Sequence, residues 1–179
     1  MTTTVPPRER TRREILDRAL ELFTDHGYHD TSLADIAAAV GCSKATVLYH
    51  FANKGAIISE VLEPAAVRLD ALVKSLLAEP QTPNAQERAI DEFVDVVVQF
   101  RSLSVVLDGA EILAEVPSFV AVADSCLDLP RLLAGGMEPE RLRIANFALN
   151  GAIAECRDHS HTDESLRALL LTCMKRLLL

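Results

Sequence analysis

The chain has no tryptophan and few other aromatic residues, with two tyrosines and six phenylalanines among its 179 residues. It also has no apolar run that approaches the ~18 residues of a membrane-spanning helix. Residues 1–13 are polar and basic, and they lack the apolar core of a secretory signal. These absences predict a cytoplasmic protein that has no membrane partner.

Sequence motifs of the common catalytic and cofactor sites are missing as well. The chain contains no GxSxG, no phosphate-binding P-loop and no GxGxxG, and it has no pair of clustered carboxylates with a histidine nearby. We therefore predict that the protein is not an enzyme and that it needs no cofactor.

The four cysteines lie far apart and form no CxxC pair, so we expect them to be reduced. Cys42 could be a redox sensor, but an apolar residue is expected at its position, and a structural role is favoured. One polar loop brings together Cys156, Asp158, His159 and His161. Because a single short loop offers only a cramped set of ligands, we expect no metal site there.

Acidic side chains outnumber basic ones, and the chain has a net charge of −8. The excess is unevenly spread, because residues 1–54 contain seven basic and seven acidic side chains, and the first 13 contain four arginines and one glutamate. Only charges that touch phosphate release counterions from DNA. A neutral N-terminal part with a basic start is therefore compatible with DNA binding, despite the acidic remainder.

Apolar residues recur at helical spacing almost throughout, which predicts an all-α fold of about nine helices. The valines of residues 85–101 would also suit a strand, but no second strand-like run exists to pair with them. Proline is expected to kink or break the fourth helix near residues 62–64. We predict two units: an arm and three-helix DNA-binding domain (1–53), then a connecting helix and C-terminal helical bundle (54–179).

Residues 31–54 carry the strongest local pattern in the chain. Ser32 with Asp35 predicts a capping box, Gly41 ends the helix that follows, Ser43 caps the next helix and Asn53 caps the fourth. This is the pattern of a helix-turn-helix. In its second helix we expect Val47 and Leu48 to turn inward, which leaves the remaining side chains outside: Lys44, Ala45, Thr46, Tyr49 and His50.

The same stretch resembles the DNA-binding domain of the TetR/AcrR family of transcriptional regulators. The residues that carry the resemblance are Thr31, Ser32, Ile36, Ala37, Gly41, Ser43, Tyr49, His50, Phe51 and Lys54. The sequence departs from the family pattern at Leu48, where a tyrosine is usual, and at Gly55, where an acidic residue is usual. The resemblance covers roughly residues 10–60, and the helical remainder carries no family signature of its own.

The resemblance implies a set of DNA contacts. Lys44 and Ala45 would face base edges, and the next residues would touch phosphates or bases: Thr46, Tyr49 and His50. Lys54 would hold a phosphate, and Ser32 and Ser43 complete the set. The exposed helix N-termini at Ser32 and Asn53 offer amides to phosphate oxygens. Tyr49 could instead pack against Phe51 and the first helix. The arginines of residues 8–13 could equally be a solvated tail or touch phosphate or the minor groove.

Two further sets of residues are predicted in the C-terminal part. Large apolar side chains could line an effector cavity, although each could also be plain core: Phe93, Val97, Phe100, Leu103, Leu107, Phe119, Met137 and Phe147. Small residues on one of the last two helices and leucines on the other could pair with a partner chain: Ala145, Ala148, Leu149, Ala152, Ile153, Leu166, Leu170, Cys173 and Leu177.

Together these features predict a ligand-responsive DNA-binding regulator, most simply a homodimeric repressor. A small, mainly apolar effector in the C-terminal domain would release it from a palindromic operator in double-stranded DNA. An α-helical enzyme that retained the helix-turn-helix as a scaffold is a competing hypothesis that no motif supports. A second alternative is a DNA-binding module that acts constitutively, without an effector. A C-terminal part packed without a cavity would favour that alternative.

Overall fold

The structure is a computed structural model that describes residues 6–80, 82–106, 127–158 and 160–179. Over these ranges the chain forms nine α-helices and no strand, which confirms the all-α prediction. None of these helices is long and apolar enough to cross a membrane. The helices are α1 (Pro7–His26), α2 (Leu33–Val40), α3 (Lys44–His50), α4 (Lys54–Leu77), α5 (Pro83–Gln99), α6 (Arg101–Val106), α7 (Leu129–Ala134), α8 (Pro139–Glu155) and α9 (Asp163–Leu178).

The first helix begins at Pro7, which occupies its first turn. Proline suits this position, where its fixed φ is already helical and its missing N–H has no partner to lose. The arginines from Arg8 to Arg13 therefore lie in the first turns of α1 and not in an extended arm.

Of the two outcomes predicted near residues 62–64, a kink or a break, the break does not occur, because α4 continues through Pro64. Leu62 on one side of the proline and Ala65 and Ala66 on the other are buried. Tertiary packing on both sides thus holds the helix together across the hydrogen bond that proline removes.

The helices pack into two hydrophobic cores. The N-terminal core combines α1, α2 and α3 with the first half of α4 and with Leu103 of α6. The C-terminal core combines the second half of α4 with α5, α7, α8 and α9. Phe100 packs against both cores. The connecting helix α4 therefore belongs to both cores, and the surroundings of Phe100 form the junction between them.

A buried glutamine joins three elements of the C-terminal core. The Nε2 atom of Gln86 donates hydrogen bonds to the carbonyl oxygens of Leu133 (2.9 Å) and Leu178 (3.0 Å). These two oxygens belong to helix ends, which leave carbonyls without intrahelical partners. Gln86 thus ties α5 to the ends of α7 and α9.

Candidate nucleic-acid interface

The turn between α2 and α3 is built by local side chains. The Ser32 hydroxyl accepts a hydrogen bond from the Asp35 amide (3.2 Å), and the Asp35 carboxylate accepts one from the Ser32 amide (2.8 Å), which confirms the capping box. Hydrogen bonds from Ser32 lower the pKa of Asp35. At the other end of α2, Gly41 has a φ of 75°, and the Cys42 amide donates to the Ala37 carbonyl (2.9 Å). The chain then reverses into α3.

Helix α3 presents the outer face that the sequence predicts. Ser43 caps it by accepting a hydrogen bond from the Thr46 amide (3.0 Å). Lys44 and Ala45 are exposed at its first turn, and Tyr49 is 67% exposed. The three side chains lie where the first turn and outer face of a recognition helix would meet the major groove.

The inward face of α3 is narrower than predicted. Val47 is fully buried, but Leu48 is 44% exposed and does not turn into the core. The two residues lie about 100° apart around a helix of only seven residues, which contacts the core along one side. Leu48 is therefore an apolar side chain on the surface that carries Lys44 and Tyr49.

Arg12 fixes the end of α3 to two other helices. Its guanidinium donates from Nε (3.1 Å) and from a terminal nitrogen to the two carboxylate oxygens of Glu60 in α4. A second terminal nitrogen donates to the His50 carbonyl at 2.8 Å, and the guanidinium lies 4.3 Å from the centre of the Phe51 ring. Arginine offers this planar fork of donors, which lysine does not. Sequence reasoning missed this role because Glu60 is 48 residues away along the chain.

A second arginine of α1 contacts the outer face of α3. The Arg8 guanidinium lies 5.3 Å from the centre of the Tyr49 ring. Next to it, burial lowers the pKa of His50, and the charges of Arg8 and Arg12 lower it further. This position therefore favours the neutral form of the His50 imidazole. Tyr49 packs edge-on against His50 and is not in ring contact with Phe51 among the described aromatic pairs.

Lys54 lies differently from the phosphate contact that the resemblance implies. Its ammonium group donates to three backbone carbonyls in the connection between α1 and α2: Tyr28 (2.5 Å), His29 (3.2 Å) and Thr31 (2.8 Å). It also lies 4.3 Å from the centre of the Tyr28 ring, and burial lowers its pKa. An ammonium has three donors, and all three are used here. The Asn53-capped start of α4 remains the phosphate-binding candidate at this end.

The predicted effector-lining residues do not all meet at one place. Phe93 is buried in the C-terminal core and Leu103 in the N-terminal core, while Val97 and Phe100 are partly buried near the junction between the two. Met137 and Phe147 are 68% and 73% exposed and lie on the outside of the chain. Leu107 and Phe119 lie outside the described residues. The described residues of this predicted set therefore do not all line one cavity.

The predicted dimer residues also divide into two groups. Six of the nine are buried inside the chain's own C-terminal core, so they are not available to a partner chain: Ala145, Ala148, Leu149, Ala152, Leu166 and Leu170. Ile153, Cys173 and Leu177 are exposed. The apolar stripe that the sequence displays packs inward against α5 and α7. The outer surface of α8 and α9 is formed by other residues of the same helices.

The outer surface of α8 and α9 is itself apolar. Phe147, Ile153, Leu169 and Leu177 are all at least 36% exposed. An open groove of about 760 Å³ runs between the two helices and is lined by Pro139, Glu140, Arg143, Ile144, Phe147 and Leu177. We call this surface the α8/α9 outer face.

The N-terminal part of the chain matches a protein-family model described as "Bacterial regulatory proteins, tetR family" over residues 15–61. It is 42% identical over 55 residues to the HTH-type transcriptional regulator AcrR of Shigella flexneri, a match that covers 31% of this chain and 26% of that protein. It is 40% identical over 57 residues to the HTH-type transcriptional repressor ComR of Escherichia coli K12, covering 32% of this chain and 27% of that protein. The matched segment thus spans about a quarter of these relatives.

The fold of the chain is also similar to that of solved structures. The structure superposes on the ketosteroid transcriptional regulator KstR2 of Mycobacterium tuberculosis with a TM-score of 0.75, covering 98% of this chain and 95% of that one at 18% identity. At this identity the likeness establishes the helical architecture, in which a helix-turn-helix domain precedes a larger helical domain.

Proposed function

We propose that this chain, which belongs to the TetR family of transcriptional regulators, is a homodimeric repressor that leaves a palindromic operator when a small apolar effector binds. The single observation that carries the DNA-binding part is the outward set Lys44, Ala45 and Tyr49 on a capped helix whose far end Arg12 holds in place.

On DNA, α3 would lie in the major groove with Lys44 and Ala45 toward base edges. Thr46, Tyr49 and His50 would contact the backbone or neighbouring bases. A neutral His50 would donate or accept a hydrogen bond without adding charge. The amides at the capped starts of α2, α3 and α4, next to Ser32, Ser43 and Asn53, would bind phosphate oxygens.

Two chains would pair through the α8/α9 outer face, which replaces the inward stripe as the proposed interface. A face of exposed phenylalanine, isoleucine and leucine side chains is typical of a surface that a partner covers. A two-fold dimer would place its two recognition helices ~34–36 Å apart, one turn of DNA. That spacing would require an operator with the same two-fold symmetry.

The effector would bind near the junction of the two cores, where Val97 and Phe100 are partly buried. The junction is a suitable place because α4 contributes to both cores. A ligand bound there would contact the residues around the connecting helix. A ligand shifts an equilibrium only by its preference for one of the two states. The effector would therefore favour a position of α4 in which the two recognition helices no longer fit adjacent grooves.

One observation favours the alternative, a DNA-binding module without an effector. Phe93 and Leu103, two of the predicted cavity residues, are 2% and 4% exposed and lie in different cores. Close packing of this kind leaves less room for a ligand. The two hypotheses differ in whether any small molecule alters DNA affinity.

DNA binding can be tested by fluorescence anisotropy with the DNA upstream of the protein's own gene, in competition with bulk DNA at physiological salt. We expect a preferred sequence with two-fold symmetry. Lys44→Ala should reduce discrimination at one base pair by about 1–3 kcal/mol. Lys74→Ala, at an exposed lysine on α4 far along from α3, is the matched control and should bind normally. No preference for any sequence over bulk DNA would overturn the proposal.

Effector control needs a separate experiment. A thermal-shift screen of small molecules, followed by DNA-release assays, should find compounds that both raise the melting temperature and release DNA. Compounds that stabilise the protein without releasing DNA would count against effector control and favour the constitutive alternative.

A further inference from the structure

We propose that the connection between α8 and α9 binds one first-row divalent metal ion, of which Zn²⁺ is the best probe. The ligands are Glu155, Asp158 and His161. Each offers one ligand atom, and these atoms all lie within 4.8 Å of one another. The sequence alone predicts no metal here, because one short loop offers only a cramped set of ligands. That expectation considers Cys156, Asp158, His159 and His161 and does not include Glu155.

The distances are close to those of a coordinated ion. Ligand atoms bound about 2.1 Å from a tetrahedral zinc lie ~3.4 Å from one another. His161 Nε2 and Glu155 Oε1 are 3.7 Å apart. Small side-chain rotations would therefore bring the three ligands onto one ion, and water would complete its coordination.

The backbone that carries the ligands is held in place by the rest of the fold. Cys156 is buried, and its thiol donates to the Val97 carbonyl at 3.7 Å, so it faces away from the three ligands. Arg101 donates to the His161 carbonyl at 2.9 Å, and the Ser160 amide donates to Asp158 Oδ1 at 2.8 Å. The Cys156 and His161 contacts thus attach the connection to α5 and α6.

Charge and ligand type favour a cation of the zinc class. Two carboxylates face the site, and Glu155 is the last residue of α8, where the helix dipole is negative. The nearby positive charge of Arg101 is paired with Asp163 at 2.9 Å. A histidine nitrogen favours Zn²⁺, Ni²⁺ or Cu²⁺ over Mg²⁺ and Ca²⁺, which prefer oxygen ligands alone.

The test is calorimetric titration of ZnCl₂ into the metal-stripped full-length protein. We expect one zinc ion per chain and no comparable heat with MgCl₂. Glu155→Gln and His161→Gln should each weaken zinc binding at least about tenfold. Glu164→Gln is the matched control, because it removes the same charge from an exposed neighbour of the connection and leaves the Asp163–Arg101 ion pair intact. It should bind zinc within about twofold of the wild type.

Melting curves provide a second readout. Zinc should raise the melting temperature of the wild type and of Glu164→Gln, but not that of Glu155→Gln. The zinc-free curves of these proteins should coincide, and Asp158→Asn supplies a third ligand variant if another fails to fold. The proposal is overturned if the wild type does not bind zinc, if the ligand variants bind it as tightly as the wild type, or if Glu164→Gln loses binding equally.

Discussion

At the scale of single residues, the proposed DNA-binding surface depends on side chains that need not touch DNA. Arg12 contacts Glu60 of α4, the His50 carbonyl at the end of α3 and the Phe51 ring. The orientation of α3 thus depends on a residue in the first helix. Side chains that hold a helix in position affect the affinity of that helix for its ligand, because they set its orientation.

We expect Arg12→Gln to lower the free energy of unfolding by about 1 kcal/mol, since the ion pair is partly exposed. It should weaken operator binding by about fivefold, because the end of α3 loses its anchor. Urea denaturation and anisotropy titrations measure the two effects. Arg13→Gln removes the same charge from the exposed neighbour and should leave stability unchanged. Equal losses in the two variants would indicate that only net charge matters.

His50 should make stability depend on pH. Its pKa in the folded protein lies below the ordinary value of 6.5, so the unfolded chain binds the proton more readily. The stability that the neutral imidazole confers is present above that value and is lost as the pH falls toward the folded pKa. Unfolding curves from about pH 8 to about pH 5 should therefore decline more for the wild type than for His50→Gln. Parallel curves would contradict this role.

At the scale of elements, helix ends were the features best predicted from sequence. The caps at Ser32, Ser43 and Asn53 and the turn at Gly41 all occur as expected, because each depends on residues within one turn of the chain. Features set by distant residues were not predictable in this way. The continuity of α4 at Pro64 depends on the packing of Leu62 and Ala65 in the N-terminal core.

Gly135, which ends α7, is an element end that also depends on a distant residue. It has a φ of 68°, and an added Cβ would lie 2.7 Å from Oε1 of Gln86. We expect Gly135→Ala to destabilise the protein by about 2 kcal/mol or more, from backbone strain and from displacement of Gln86. Gly136→Ala meets no atom within 4 Å and should cost less than about 0.5 kcal/mol. Chemical denaturation compares them, and equal costs would refute the contact.

At the scale of the whole molecule, the sequence predicts which helices form. It does not predict which side of each helix is covered by the rest of the chain. The stripe from Ala145 to Ala152 is apolar and periodic, as an interface would be, yet it lies in the C-terminal core. The opposite side of the same helix carries Phe147, which is 73% exposed. Periodicity identifies an apolar side, and only the packed neighbours decide what covers it.

We expect Phe147→Glu and Leu177→Glu to convert the proposed dimer to monomers at micromolar concentration, because each places a charge on the α8/α9 outer face. Analytical ultracentrifugation measures the mass directly. Val67→Glu, at a 60% exposed apolar residue on α4, is the matched control and should remain a dimer. Dimers that persist in both outer-face variants would move the interface elsewhere.

The inward position of Lys54 has a mechanical consequence for the molecule. Its ammonium joins the start of α4 to the connection between α1 and α2, so these segments must move together. A helix of 24 residues is a rod ~36 Å long, and a tilt of ~5° about its far end would displace its start by ~3 Å. Through this one side chain, a small tilt of α4 would also move the connection between α1 and α2. The movement would thus reach α2, the helix that precedes the proposed recognition helix.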